Sequence, residues 1–270
     1  MKEPLNQSLH QRTLAQLAAK NAKVRAEALE SLAATNFVRL PEIAAQALSD
    51  QSPVVRTTAI EILTDSGEKS AFSRIKDRLS DPNAEVRMRA AEALGTLPNK
   101  GKIPKQLVDL LNDKDVLVRV AAAESLGLMR NRRAVPALRQ ALHDRSPLVR
   151  SYVAEALGKI GDKGQVPLLR GVLIKEQNEI ARVGAFKALY ELGDKEVLRS
   201  LLMILTSARD YRARCAAANG LAELPLNTID KQTTIKSVRQ ALRSERTVAV
   251  RSSMRSSLEA LTGKRMRAKP

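Results

Sequence analysis

The sequence predicts an all-α solenoid, a stack of about eight similar helix pairs. An arginine preceded by valine or alanine recurs along the chain, with gaps of 31 or 32 residues and a last gap of 37. Apolar residues make up 44% of the chain and aromatic residues only 2%, which indicates thin, closely packed helices. The recurring arginines are Arg25, Arg56, Arg87, Arg119, Arg150, Arg182, Arg214 and Arg251.

Each repeat unit contains two predicted helices, which we call A and B. The residue before the arginine is apolar, and so are the residues four and eight positions beyond that residue, as with Val149, Val153 and Leu157. This spacing places one apolar stripe on a helix, helix B. A second apolar segment, such as 134–142 or 165–173, precedes it as helix A. One such pair cannot bury its own stripe, so neighbouring units must cover each other.

The predicted units follow one another through a single domain, 1–261. The first A helix and the last helix are more polar than the others, as expected of units that cap the stack. We expect the remaining residues, 262–270, to form a disordered basic tail. The units are approximately 5–35, 36–66, 67–98, 99–130, 131–161, 162–193, 194–225 and 226–261.

An acidic residue stands six positions before the arginine in most units, in the turn between helices A and B. Stacking would bring the arginine of one unit close to the acid of a neighbour. Because the motif recurs, a structural role is favoured over a chain of acid–base catalysts. The first unit carries Ala19 at this position and the seventh Ala208, so we expect Arg25 to lack the contact. The predicted structural ladder comprises Asp50, Arg56, Asp81, Arg87, Asp113, Arg119, Asp144, Arg150, Glu176 and Arg182.

The spacing of the acid, the Val-Arg pair and the Ala-Leu-Gly that closes the same helix, as in 86–95, resembles the HEAT-like repeat family. The resemblance is to the short repeats first described in phycobilisome lyases, and it covers about residues 5–261. It implies a right-handed superhelix with B helices lining the concave face. It implies little about function, since the family includes scaffolds, adaptors, chromophore lyases, a DNA glycosylase branch and a metal hydroxylase branch.

Few residues suited to catalysis or metal binding are present. The two histidines, His10 and His143, lie in different units, and the single cysteine, Cys215, excludes an internal disulfide. No glycine-rich phosphate loop precedes a helix. We therefore predict no enzymatic activity, no cofactor and no metal. The longest plainly apolar run, 201–205, is far too short to cross a bilayer, and residues 1–10 do not contain the apolar stretch typical of a signal peptide. We expect a cytoplasmic monomer without membrane insertion.

The middle of the groove formed by the B helices is predicted to be apolar with a charged rim. Successive units place glutamates five residues beyond the arginine, which gives either an acidic row or a merely solvated, helix-favouring position. A contiguous apolar patch of this kind is typical of an interface. The alternative is that curvature buries these side chains against neighbouring helices. The predicted partner-binding residues are Leu117, Val120, Glu124, Leu148, Tyr152, Glu155, Ile180, Val183 and Lys187, with Glu92 also on the rim.

The formal net charge of +17 is uneven, with 14 basic and five acidic residues over 201–270. Such a field attracts acidic partners. A nucleic acid in the groove would meet the glutamate row, so an outer or C-terminal surface is the expected contact for phosphates. Possible contacts with an anionic partner are Arg130, Arg132, Arg133, Lys264, Arg265 and Arg267.

These observations favour a non-enzymatic scaffold or adaptor that binds a segment of another protein or peptide in the groove. The first alternative is binding to the phosphate backbone of nucleic acid, which would be strongly salt-dependent. The second is a lyase or helper acting on a chromophore protein.

Overall fold

The computed structural model describes residues 3–68, 70–98 and 101–265, with side chains from His10 onward. It is 76% helical, and the described residues contain no strand. The chain forms two compact units, Met1–Met129 and Arg130–Pro270. Each unit is a run of stacked helix pairs, so the predicted all-α solenoid class is confirmed.

The N-terminal unit contains four helix pairs. Each A helix packs on the B helix that follows it, and successive B helices pack on one another. Short 3-10 segments, Lys76–Ser80 and Leu110–Asn112, extend the third and fourth A helices. The helices are α1 (Glu3–Gln16), α2 (Ala22–Ala34), α3 (Leu40–Ala47), α4 (Pro53–Asp65), α5 (Ala71–Ile75), α6 (Ala84–Thr96), α7 (Lys105–Asp109) and α8 (Val116–Leu128).

The C-terminal unit repeats this plan with four more pairs. A 3-10 turn precedes each of its first three A helices. The last A helix is the longest helix of this unit, with 17 residues. The helices are α9 (Val135–Ala141), α10 (Pro147–Ile160), α11 (Val166–Lys175), α12 (Glu179–Glu191), α13 (Leu198–Ser207), α14 (Tyr211–Glu223), α15 (Thr228–Ser244) and α16 (Val248–Thr262).

The B helices begin at polar N-cap residues. The Asn83 side chain accepts hydrogen bonds from the backbone N–H groups of Glu85 and Val86, which satisfies two donors that the helix leaves open. Asp115 and Asn178 cap α8 and α12 in the same way. The repeat therefore fixes where each B helix starts.

One leucine of each B helix, seven residues beyond the repeat arginine, lies in the core. All eight are at most 1% exposed, so the predicted apolar stripe faces inward throughout. Burial of each such side chain contributes about 1.5–3 kcal/mol. They are Leu32, Leu63, Leu94, Leu126, Leu157, Leu189, Leu221 and Leu258.

Candidate functional site

The repeat arginines form ion pairs at the edge of the stack. Arg56 donates from Nε and Nη2 to the two carboxylate oxygens of Asp81, at 2.8 and 2.6 Å. Its Nη1 donates to the backbone carbonyl oxygens of Asp50 and Gln51 in its own unit, at 2.8 and 3.1 Å. Each such guanidinium thus joins the turn before its own helix to the turn of the next pair. We call this series of contacts the arginine ladder.

The same geometry recurs in both compact units. In the N-terminal unit, Arg25 Nη2 lies 2.6 Å from Asp50 and Arg87 Nε lies 2.7 Å from Asp113. In the C-terminal unit, Arg150 pairs with Glu176 and Arg214 with Glu245. The ladder members Arg119 and Asp144 belong to different compact units, so each is described within its own unit. Arg119 Nη1 donates to the Asp113 carbonyl at 2.8 Å, and Asp144 Oδ1 accepts from the Ser146 N–H at 2.7 Å.

The ladder has a direction that the sequence interpretation missed. In the ion pairs described above, each arginine contacts the acid of the following helix pair, so Arg25 is paired even though its own repeat carries Ala19. The expectation that Arg25 lacks the contact is therefore wrong. The repeat arginine that lacks an acidic partner is Arg182 instead. The following repeat carries Ala208 at the acid position, and Arg182 Nε is buried without a hydrogen-bond acceptor among the described residues.

The arginine ladder is interrupted at Arg182 because the following repeat carries Ala208 in place of an acid. The Arg182 guanidinium lies 5.5 Å from the Phe186 ring centroid, a cation–π distance that partly replaces the ion pair. The carboxylate of Glu179 accepts hydrogen bonds from the backbone N–H groups of Arg209 and Asp210, at 3.3 and 3.1 Å. In other units the ladder acid itself caps this turn. The prediction that Arg182 forms a ladder ion pair is therefore wrong.

Ala208→Asp is expected to raise the free energy of unfolding by about 1–2 kcal/mol, because it supplies a charged acceptor to a buried donor. Ala208 already has φ −61° and ψ 135°, close to the −62° and 142° of Asp81. Urea unfolding followed by circular dichroism measures the effect. Ala208→Asn, which lacks the charge, should gain less. A lower stability for Ala208→Asp would show that Glu179 already occupies the acceptor's place.

The ladder contacts shift the pKa values of its members. The hydrogen bond from Arg25 lowers the pKa of Asp50, and burial opposes this only in part. Burial raises the pKa of Asp113, but the hydrogen bonds from Arg87 and from the Asp115 N–H outweigh it, so the net pKa is lowered. Asp50 and Asp113 are thus held ionised, which suits structural ion pairs better than proton transfer.

Part of the predicted apolar groove is core in the C-terminal unit. Val183 is only 1% exposed and belongs to the core cluster, and Ile180 packs against the same cluster. Leu148 and Tyr152 are half-buried. Val183 is therefore corrected from a partner contact to a core residue.

Glycines explain this burial, because they bring α10 and α12 close together. A Cβ on Gly184 would overlap the backbone carbonyl of Ser151, and one on Gly158 would lie 2.6 Å from Ala188 Cα. The two helices therefore approach more closely than side chains at these positions would permit, and the groove between them closes.

Lys187 is also corrected, from the rim to the interior. It is 6% exposed, and its Nζ lies 2.6 Å from Glu155 Oε2 and 2.8 Å from Glu223 Oε2. Burial disfavours its charge, but these two carboxylates outweigh burial, so the net pKa of Lys187 is raised. Its methylene stem fits because Gly220 has no Cβ, which would lie 2.7 Å from Lys187 Cδ. Lys187 and Glu155 therefore form an internal ion pair.

The N-terminal unit keeps the predicted residues accessible. Leu117 is 55% exposed, and Val120 and Glu124 are half-buried on the same helix, α8. Val54 on α4 is also 55% exposed. The glutamate row continues across α2, α4 and α6 with Glu30, Glu61 and Glu92. The B-helix face of this unit is thus acidic with exposed apolar side chains.

An open groove of about 340 Å³ lies between α4 and α6 on this face. We call it the acidic groove. Arg89 Nη1 lies 3.3 Å from Glu92, and its Nε lies 3.8 Å from Glu61. The acidic groove thus contains three carboxylates and one cation, Arg89. The sequence analysis did not identify Asp65 or Arg89 as site residues. The lining residues are Ile60, Glu61, Thr64, Asp65, Arg89, Glu92, Ala93 and Thr96.

The residues predicted to contact an anionic partner are exposed where the structure describes them. Arg130, Arg132 and Arg133 lie at the start of the C-terminal unit, and Lys264 and Arg265 follow α16. Arg267 lies outside the described residues.

Comparison with known proteins identifies the repeat. Residues 11–95, 103–190 and 149–222 match the family of HEAT repeats. The chain belongs to the HEAT-repeat family. None of the curated proteins compared with this HEAT-repeat protein matches its sequence.

Solved structures similar to this HEAT-repeat protein include two complexes. The complex of CpcE and CpcF of phycocyanin lyase from Nostoc sp. PCC7120 is 22% identical with a TM-score of 0.59, over 82% of this chain and 94% of that chain. The Kap95:Nup1 complex is 14% identical with a TM-score of 0.61, over 97% of this chain and 42% of that chain. At these identities the likeness shows the fold alone.

In the part of the chain that the structure describes, no group of three or more His, Cys, Asp or Glu is placed to hold a metal ion. None of the helices over the same residues is long and apolar enough to cross a membrane.

Proposed function

We propose that this HEAT-repeat protein is a non-enzymatic scaffold that holds a basic segment of a partner protein on the B-helix face of its N-terminal unit. The observation that carries the proposal is the acidic groove, where Glu61, Asp65 and Glu92 outnumber the single cation Arg89. HEAT-repeat proteins commonly bind other proteins, and the two similar structures described above are complexes, which supports a scaffold.

The neighbouring side chains define what the partner segment should look like. Lysine or arginine side chains would pair with Glu61 and Glu92, while apolar side chains would contact the exposed Val54 and Leu117. A segment with basic and apolar residues at helical spacing meets both requirements in one binding mode. Charge complementarity of this kind contributes mainly to the association rate and to specificity.

The alternative of a lyase or helper for a chromophore protein has less support. The likeness to the phycocyanin lyase complex concerns the fold. The one buried lysine described above, Lys187, is held charged between two carboxylates and is not poised as a nucleophile.

Glu61→Gln with Glu92→Gln is expected to reduce partner capture at least tenfold, because the basic segment loses two ionised acceptors. The tagged protein would be mixed with nuclease-treated native extract, and captured proteins would be quantified and cross-linked to locate the contacting segment. Both substitutions are helix-compatible, so the melting temperature should stay nearly unchanged.

The matched control is Glu42→Gln with Asp77→Asn, which removes two exposed acids of the same unit outside the B helices. It should capture the same proteins as the unmodified chain. If both variants lose these proteins equally, overall charge explains the binding and the acidic groove is not the site.

A further inference from the structure

The outer face of α15 carries a row of exposed cations. Lys236, Arg239 and Arg243 follow one another at i, i+3 and i+7, which places them on one side of the helix. Arg246 in the next turn and Arg199 on α13 are also exposed. We call these five residues the basic ridge. None of their side chains forms an ion pair with another residue in 3–68, 70–98 or 101–265.

Two grooves bring the basic ridge together with polar side chains. One, of about 870 Å³, is lined by Arg199 and Arg246 with Ser237 and Gln240. The other, of about 530 Å³, is lined by Lys236, Arg239 and Arg243 with Gln232 and Gln240. Because Gln240 lines both grooves, they adjoin along α15. The surface is therefore continuous, and it offers hydrogen-bond donors together with positive charge.

The acids near the basic ridge are mostly engaged elsewhere. Glu245 accepts from Arg214 Nε at 2.9 Å, and Asp230 accepts from the buried Tyr190 hydroxyl at 2.5 Å. Glu196 lines another groove, of about 570 Å³, together with Arg199, but Lys195 lines the same groove. The positive potential of the ridge is thus little neutralised by the protein itself.

We infer that the basic ridge binds the phosphate backbone of double-stranded nucleic acid. A helix rises about 1.5 Å per residue, so the cations from Lys236 to Arg243 are spaced by about 4.5 and 6 Å. Each step is longer than the charge repeat of one strand, about 3.4 Å along the duplex axis, so each cation can reach a phosphate of its own. A polymer with evenly spaced charges can meet every cation of the ridge in several registers.

A lipid surface fits the same residues less well. Helices that lie on membranes present large apolar side chains to the acyl region. In the groove of about 530 Å³ the one apolar lining residue, Ile235, is half-buried, and in the groove of about 870 Å³ Met203 is the one large apolar lining residue that is exposed. No aromatic residue lines either groove. Binding should therefore rest on phosphate contacts and not on stacking with exposed bases.

The test is fluorescence anisotropy with a labelled 20-base-pair DNA duplex of mixed sequence, at several salt concentrations. Lys236→Gln with Arg239→Gln and Arg243→Gln should weaken binding at least tenfold at low salt. The slope of log K against log salt should fall by about 2.7, since each lost phosphate contact removes about 0.9. The melting temperature should not change, because the three side chains are exposed.

The matched control removes the same charge from the same unit, with Arg132→Gln, Arg133→Gln and Arg139→Gln, all exposed. It should bind the duplex within about twofold of the unmodified chain. Equal loss by both triple variants, or no binding by the unmodified chain at 50 mM salt, overturns the proposal. Binding to phosphatidylserine vesicles without binding to the duplex also overturns it. The Glu61→Gln with Glu92→Gln variant should bind the duplex normally, which separates this site from the acidic groove.

Discussion

Asp81→Ala is expected to lower the free energy of unfolding by about 3–5 kcal/mol, because it leaves the buried Arg56 guanidinium without its counter-charge. The Asp81 side chain is 1% exposed and that of Arg56 is 9% exposed. Asp81 also accepts a hydrogen bond from the Asn83 N–H at 3.0 Å, so the turn before α6 loses a contact as well. Urea unfolding monitored by circular dichroism gives the change.

Asp77→Ala is the matched control for this experiment. Asp77 lies in the 3-10 segment Lys76–Ser80, which immediately precedes Asp81, and it is exposed. Its removal should change stability by less than about 0.5 kcal/mol, as is usual for surface substitutions. If Asp77→Ala and Asp81→Ala destabilise equally, the arginine ladder contributes nothing beyond ordinary surface charge.

Gly184→Leu is expected to destabilise the C-terminal unit by about 3 kcal/mol or more, because a side chain there forces α10 and α12 apart. A Cβ on Gly184 would overlap both the backbone carbonyl and the hydroxyl of Ser151. Helix propensity favours leucine over glycine, so any loss must come from packing. The melting temperature measures the effect.

Gly171→Leu makes the same chemical change in an open position. Gly171 lies inside α11 and is exposed, and a Cβ there would meet nothing within 4 Å. The substitution should stabilise by about 0.5–1 kcal/mol through helix propensity alone. A tolerated Gly184→Leu would mean that α12 presents this position to solvent.

The repeat spacing predicts the fold because the same apolar stripe recurs in every repeat. Val149, Val153 and Leu157 are all buried, and the core leucine recurs in all eight pairs. Burial on the B-helix face was harder to predict. It depends on Gly184 and Gly220, which let neighbouring helices or a lysine stem approach, and a position-by-position pattern does not include such pairwise distances.

The charge contacts were likewise predicted only in part. The sequence predicts that arginines meet acids of neighbouring units, since the two recur together. The sequence does not show whether an arginine pairs with the acid of the preceding or the following repeat. This choice depends on how the turn before each B helix projects toward the next helix pair. The basic ridge was missed for a different reason. Lys236, Arg239 and Arg243 lie on an A helix, whose outer face has no repeat pattern to distinguish it from a solvated surface.

The direction of the arginine ladder has a consequence for synthesis on the ribosome. In the first three pairs, the acid follows its arginine by 25 or 26 residues. Domains generally fold from the N-terminus as the chain emerges. Each newly folded unit therefore holds an uncompensated guanidinium until the next turn has been translated. An incomplete chain that ends after Arg56 or Arg87 is marked by a buried positive charge, and among the described residues of the folded protein Arg182 keeps such a charge because the next repeat has no ladder acid.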